Sequence, residues 1–246
     1  EDAIFPKYNA KASEVGEDGT IEIQYGTGVK KVKLTEAASE LIPQVPVVSH
    51  EIGQYETYPD FDEIEKYTGV LKARNFEIFR KRLEEKGLLS LAKDYFHSSG
   101  ALAVACYKDE LETALRTKDM AGFQILDIQD FSGQGTALVG VLDAFMESKG
   151  IVSAEGWREF CSDAVIQAEF PSYITVNGHT LSAALSLTWY RKDLPHSSKV
   201  NYTLTNITEG CDAASSGNII SGSVSVTHPV TENGYAVIGS LDIPIP

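Results

Sequence analysis

Apolar and polar positions along this chain recur with two different periods, and the change of period divides it. Thr20-Ile21-Glu22-Ile23-Gln24-Tyr25 alternates strictly after the turn signal Glu17-Asp18-Gly19. A second short alternating run, Lys30 to Leu34, follows Gly26 and Gly28, so a small hairpin is predicted. Thr35 is placed to cap a helical turn through Leu41. Pro46-Val47-Val48-Ser49-His50 is a short apolar run that stops at the polar cluster Glu51-Ile52-Gly53-Gln54-Tyr55, and it predicts a buried strand. Phe76, Phe79, Leu83 and Leu88 then recur at helical spacing. Leu91, Tyr95 and Leu102 to Leu115 continue the helical region after a break predicted at Ser98-Ser99-Gly100. Beyond Gly122, Phe123 to Phe131 predict a second buried strand, closed by the loop Ser132-Gly133-Gln134-Gly135. Strand, helices, strand is the pattern of a parallel sheet with helical cover. Helix signals return from Ala154 to Glu169.

At Pro171 the composition shifts to Thr, Ser, Val and Asn with regularly spaced Gly turns. Leu181 to Leu187, Val200 to Leu204, Ile219 to Val226 and Tyr235 to Ile238 predict short strands of an antiparallel β-sandwich. The expected organisation is therefore a polar N-terminal segment over 1–45, an α/β part over 46–170 and a β-sandwich over 171–246. The chain starts at Glu1 without Met and ends on Leu241-Asp242-Ile243-Pro244-Ile245-Pro246, which reads as a piece of something longer.

Composition narrows the function classes. The 246 residues hold 21 Lys and Arg against 35 Asp and Glu, a net charge of −14, and no basic cluster stands out, which excludes a nucleic-acid binder. An apolar share of 43% and a charged share of 23% belong to a globular chain, and no apolar run approaches the roughly 18 residues of a membrane span. Cys106, Cys161 and Cys211 are too few and too scattered for a disulfide framework, and no spacing for a zinc site is present. No metal or other cofactor is expected.

Polar residues just past the C-terminal ends of parallel strands line the active sites of βα architectures. The first strand supplies His50, Glu51, Gln54 and Tyr55, and the second supplies Asp127, Gln129 and Asp130. A carboxylate beside amides and aromatic rings is what sugar chemistry needs: the carboxylate attacks or stabilises an oxocarbenium-like centre, polar groups hold hydroxyls, and rings pack on the sugar. The bland alternative is that Glu51 and Asp130 are loop acids that cap helices. Gly133-Gln134-Gly135 lacks the Lys and Ser/Thr of a phosphate loop and reads as a turn. The acidic run Asp60 to Glu65 reads as the charged first turn of a helix, and Glu110, Glu112 and Arg116 as salt-bridging positions on a helix.

Pro46-Val47-Val48-Ser49-His50-Glu51-Ile52-Gly53 resembles the nucleophile strand of glycoside hydrolase family 2, a Pro-led apolar run ending in Glu with Gly shortly after. Gly122-Phe123 through Asp127 and Asp130 resembles the last barrel strand of that family. Gly140-Val141-Leu142-Asp143 and Ser148-Lys149-Gly150 resemble the elements after the barrel closes. The likeness runs from 46 to about 200 and extends to family 2-type proteins of gut bacteria. It implies the C-terminal part of a (β/α)8 TIM-type barrel followed by an immunoglobulin-like sandwich. It implies a retaining exo-β-glycosidase of the β-galactoside or β-glucuronide class, periplasmic or secreted. Glu51 would be the nucleophile, with His50, Gln54, Tyr55, Asp127 and Asp130 contacting an oligosaccharide or glycoside substrate.

Two positions depart from the family pattern. Leu126 stands where the family has Trp on the last strand. No Asn-Glu pair, the family's acid/base signature, occurs within residues 1–50. The general acid and the missing barrel strands would then belong to parent domains, leaving this chain inactive alone. The alternative is a non-catalytic carbohydrate-binding or structural module.

Overall fold

The computed structural model describes residues 19–25, 28–33, 46–117, 120–172, 174–191, 198–205, 218–226 and 234–245. Two compact units divide between Arg158 and Glu159, twelve residues before the composition change at Pro171. The helical turn expected at Thr35–Leu41 and Cys211 lie outside the described residues.

In the first unit β1 (Thr20–Tyr25) and β2 (Gly28–Lys33) pair antiparallel, with Tyr25 opposite Gly28. β3 (Val47–Gly53) runs parallel to β4 (Met120–Leu126). Between them come a 3-10 turn at Phe61–Lys66, α1 (Arg74–Glu85), a second 3-10 turn at Leu89–Leu91 and the long helix α2 (Ala92–Arg116). Buried Phe96, Gly100, Ala103, Tyr107, Leu111 and Ala114 recur at helical spacing down one stripe of α2, which packs against β3 and β4. The helix runs straight through Ser98-Ser99-Gly100, where a break was expected. Gly100 is there for close approach: a Cβ would sit 2.5 Å from the Ile151 side chain. Ser99 turns its hydroxyl back to the Phe96 carbonyl (3.0 Å) and accepts from the Tyr58 N–H (2.7 Å). The true break falls at Gly87, with φ +71°. There Gly87 N–H donates to Glu84 O and Leu88 N–H to Leu83 O, the paired bonds that end a helix with a left-handed glycine.

The barrel expectation is wrong. Among the described residues β3 and β4 pair only with each other, every other strand pairing is antiparallel, and the sheets have two or three strands. Residues 127–153 fold as turns and isolated bridges and do not close a barrel. One strand–helix–strand repeat is a local pattern, whereas closure depends on long-range pairing of strands with many partners.

The second unit begins with α/β signals misread. Helix was expected through Glu169, but only α3 (Ala154–Arg158), at the end of the first unit, is helical. β5 (Ala164–Glu169) is a strand with Val165 and Gln167 buried and Ile166 exposed, a period of two. It pairs with β6 (Thr180–Trp189), which pairs with β9 (Tyr235–Pro244), all antiparallel. β7 (Lys199–Thr205) and β8 (Asn218–Ser225) form a second antiparallel pair. Ala183, Leu185 and Leu187 on β6 and Ile238, Leu241 and Ile243 on β9 make the buried core, and Val200, Tyr202, Leu204, Ile220 and Val224 pack onto it. Trp189 joins that core at its edge, with the Arg191 guanidinium 5.2 Å from its ring centre. Three plus two strands among the described residues do not make the expected immunoglobulin-like sandwich.

Candidate functional site

The candidate site is the polar end of the β3–β4 pair. The register passes from Ser49↔Phe123 to Ile52↔Ile125, so three steps on β3 face two on β4. The extra residue is a β-bulge, and Glu51 sits in it with φ +56°. A bulge breaks the in-out alternation: His50 and Glu51 are both exposed, between buried Ser49 and Ile52. A left-handed backbone is uncommon for a residue with a side chain and is a feature that active sites share. Gln54 repeats it at φ +70°, and between them Gly53 has φ +104°. Gly53 has no substitute there, since its neighbour is the Tyr107 ring and a Cβ would enter that ring.

Each expected contact residue has a definite place. His50 Nδ1 lies 3.8 Å from Glu51 Oε1, at the edge of ion-pair range, and both side chains are open to solvent. Gln54 is exposed. Tyr55 donates its hydroxyl to Glu110 Oε2 (2.9 Å) and meets Tyr107 edge-on at 5.3 Å. Burial and then the Glu110 carboxylate raise the Tyr55 phenol above its ordinary value. Asp127, half buried, accepts from the Ile128 N–H at 2.7 Å.

Asp130 is not open to a substrate. It is 3% exposed, accepts from Lys149 Nζ (2.6 Å) and from the Gly140 N–H (2.9 Å), and Lys149 is itself buried. Lys149 also donates to Thr57 Oγ1 (3.0 Å), and Thr57 bonds Leu138 O through both its N–H (2.9 Å) and its hydroxyl (3.1 Å). This clamp ties the segment after β3 to the segment after β4. Burial raises the Asp130 carboxyl despite Lys149 and Gly140. Nearby, Asp143 accepts from Lys66 Nζ and from the N–H groups of Phe145 and Glu147. Burial alone would raise Asp143, but Lys66 and those N–H groups outweigh it and hold the carboxyl below its ordinary value. The Gly140–Asp143 and Ser148–Gly150 segments are therefore structural supports behind the strand ends.

Two residues of this region escaped the sequence reading. Tyr107 donates to Val139 O (2.6 Å), faces Trp157 edge-on at 5.7 Å and backs Gly53 and Tyr55. Burial pushes its phenol up to about 12, against the pull of the Gln54 and Tyr55 backbones. Its signal was its position in the apolar stripe of α2, which reads as core. Glu63, read only as an acid in a first helical turn, is 5% exposed. The run it belongs to does start a 3-10 turn, with Asp60 capping Asp62 N–H and Lys93 bridging both acids.

Among the described residues no three His, Cys, Asp or Glu side chains stand in metal-binding geometry. None of the helices among those residues is long and apolar enough to cross a membrane. Compared with known proteins, the chain matches no family model and no curated protein.

Proposed function

We propose that this chain is part of a retaining glycoside hydrolase acting on β-linked sugars, with Glu51 as its nucleophilic carboxylate. What supports the reading is the bulge at Glu51, where a left-handed backbone carries an open carboxylate at the C-terminal end of a parallel strand. His50 and Gln54 beside it have the chemistry to bind hydroxyls. In the reaction a Glu51 oxygen attacks the anomeric carbon, and the bond to the aglycone oxygen breaks with its electron pair leaving on that oxygen. An ordinary sugar or alkyl leaving group needs a proton from a second carboxyl about 5–5.5 Å away. Asp130 does not supply it, because it is buried on Lys149.

That placement of Asp130 also favours the second reading, a module that holds glycan at the β3–β4 end without cleaving it. One experiment separates the two. A 2,4-dinitrophenyl 2-deoxy-2-fluoro-β-galactoside or β-glucuronide carries a leaving group good enough to depart without acid catalysis. A nucleophilic Glu51 releases one equivalent of dinitrophenolate and adds the fluorosugar mass to the peptide containing Glu51, and Glu51→Gln does neither. Binding of a β-galactosyl or β-glucuronyl disaccharide without labelling means a binding module. Neither labelling nor binding removes sugar chemistry from this chain.

A further inference from the structure

The buried cluster between the Phe61–Lys66 turn and the 148–150 loop carries an inference that does not rest on sugar chemistry. Glu63 Oε2 and Asp130 Oδ2 are both buried, and neither has a hydrogen-bond partner among the described residues. Five groups bear on Glu63. Asp130 comes from the segment after β4, Lys149 and Asp143 from the loops beyond it, Asp60 from the cap of its own turn, and Tyr67 from the residue following that turn. The two lysines of the cluster are taken. Lys149 is bonded to Asp130, and Lys66 to Asp143 and Glu147. Three buried carboxyls thus share two cations. An ionised Glu63, only 5% exposed, would add a third buried negative charge to the two cations, a state that buried carboxyls avoid by keeping their proton. A protonated Glu63 also turns one of its acceptor oxygens into a donor, in a cluster where Asp130 Oδ2 accepts from no donor among the described residues.

We propose that Glu63 folds as the neutral acid and that its proton is a latch: losing it loosens the Thr57–Asp130–Lys149 clamp that joins the segments after β3 and β4. Burial first, and then the negative charge of Asp130, push the Glu63 carboxyl up to about 7 from an ordinary value of 4.5. Between those two values the folded chain binds a proton that the unfolded chain has lost, so stability falls as pH rises through that window. Below it Glu63 is neutral in both states and costs nothing. Above it the whole penalty is present, roughly two to three powers of ten in the folding equilibrium constant.

The test compares the full chain with Glu63→Gln, a neutral near-isostere, by denaturant unfolding across that pH range. Trp157 fluorescence in a Trp189→Phe background reports on the first unit. The expected result is equal stability near pH 4.5 and an advantage for Glu63→Gln of roughly a hundredfold or more at about pH 8. Parallel profiles for the two chains would overturn the proposal. A second measurement holds even if Glu63→Gln does not fold: in the wild-type chain with carboxyl-labelled glutamate, one glutamate carbon should titrate with a midpoint near 7. If every glutamate titrates below about pH 5.5, within the usual range, Glu63 is no latch.

Discussion

Replacing Lys149 by methionine takes away the ammonium that sits 2.6 Å from Asp130 Oδ1, with both side chains almost wholly buried. At an effective dielectric constant of about 20, two unit charges at this separation attract by about 6 kcal/mol. Much of that attraction offsets the cost of taking both ions out of water, so the net worth of the pair is small while the cost of breaking it is large. Methionine keeps the length of the stem and fills most of the space, but it strands Asp130 and removes the donor to Thr57 Oγ1. The expected loss is about 3–5 kcal/mol at neutral pH. Asp130 already has a raised carboxyl, and without Lys149 only the Gly140 N–H still works against burial. It should therefore take up a proton more readily, and the loss should shrink as pH falls. Adding Asp130→Asn to Lys149→Met removes the stranded charge, so the double variant should recover more than half of what the single variant lost. Urea unfolding of the three chains, read through Trp157, measures all of this. A single-variant loss under about 1 kcal/mol is what an exposed ion pair gives, and it would refute the buried clamp. A double variant no better than Lys149→Met would refute the stranded charge as the cause.

Three further perturbations probe other parts of the fold. Tyr107→Phe removes the donor to Val139 O, leaving a buried carbonyl unpaired at a cost of about 1–3 kcal/mol, measurable by urea unfolding. Gly100→Ala would stabilise an open helix by about 1 kcal/mol, but here the added methyl meets Ile151, so thermal unfolding should show a net loss of about 1–3 kcal/mol. Ile238→Ala, at 1% exposure in the core of the second unit, should cost about 2–5 kcal/mol when unfolding is followed by Trp189 fluorescence in a Trp157→Phe background.

Local periodicity is written in the sequence because it records which face of each element meets apolar neighbours. It was enough to place the Thr20–Tyr25 hairpin strand, a strand on either side of a helical region and most strands beyond Pro171, but β4 holds no buried residue and ends at Leu126, five short of the predicted Phe131. It also put Glu51 just past an apolar run. The same signal misled where local preference and packing disagree. Ser98-Ser99-Gly100 looks like a stop, yet α2 continues because Gly100 lets Ile151 approach and Ser99 bonds within its own turn. Ala164–Glu169 has helix-tolerant residues, yet it is a strand because β6 offers an unpaired edge and a period-two partner.

Only the tertiary structure could decide how many strands join β3 and β4, since the pairing of distant segments leaves no trace in either segment alone. The same holds for the candidate site. That Glu51 and Asp130 follow apolar runs is legible in order along the chain. That one lies open in a left-handed bulge while the other is closed on Lys149 is set by contacts 19 residues apart and by strand register. Glu63 makes the point most sharply. As a letter it is one more acid in an acidic turn, and its raised carboxyl exists only because folding carries it away from water and beside the charge of Asp130.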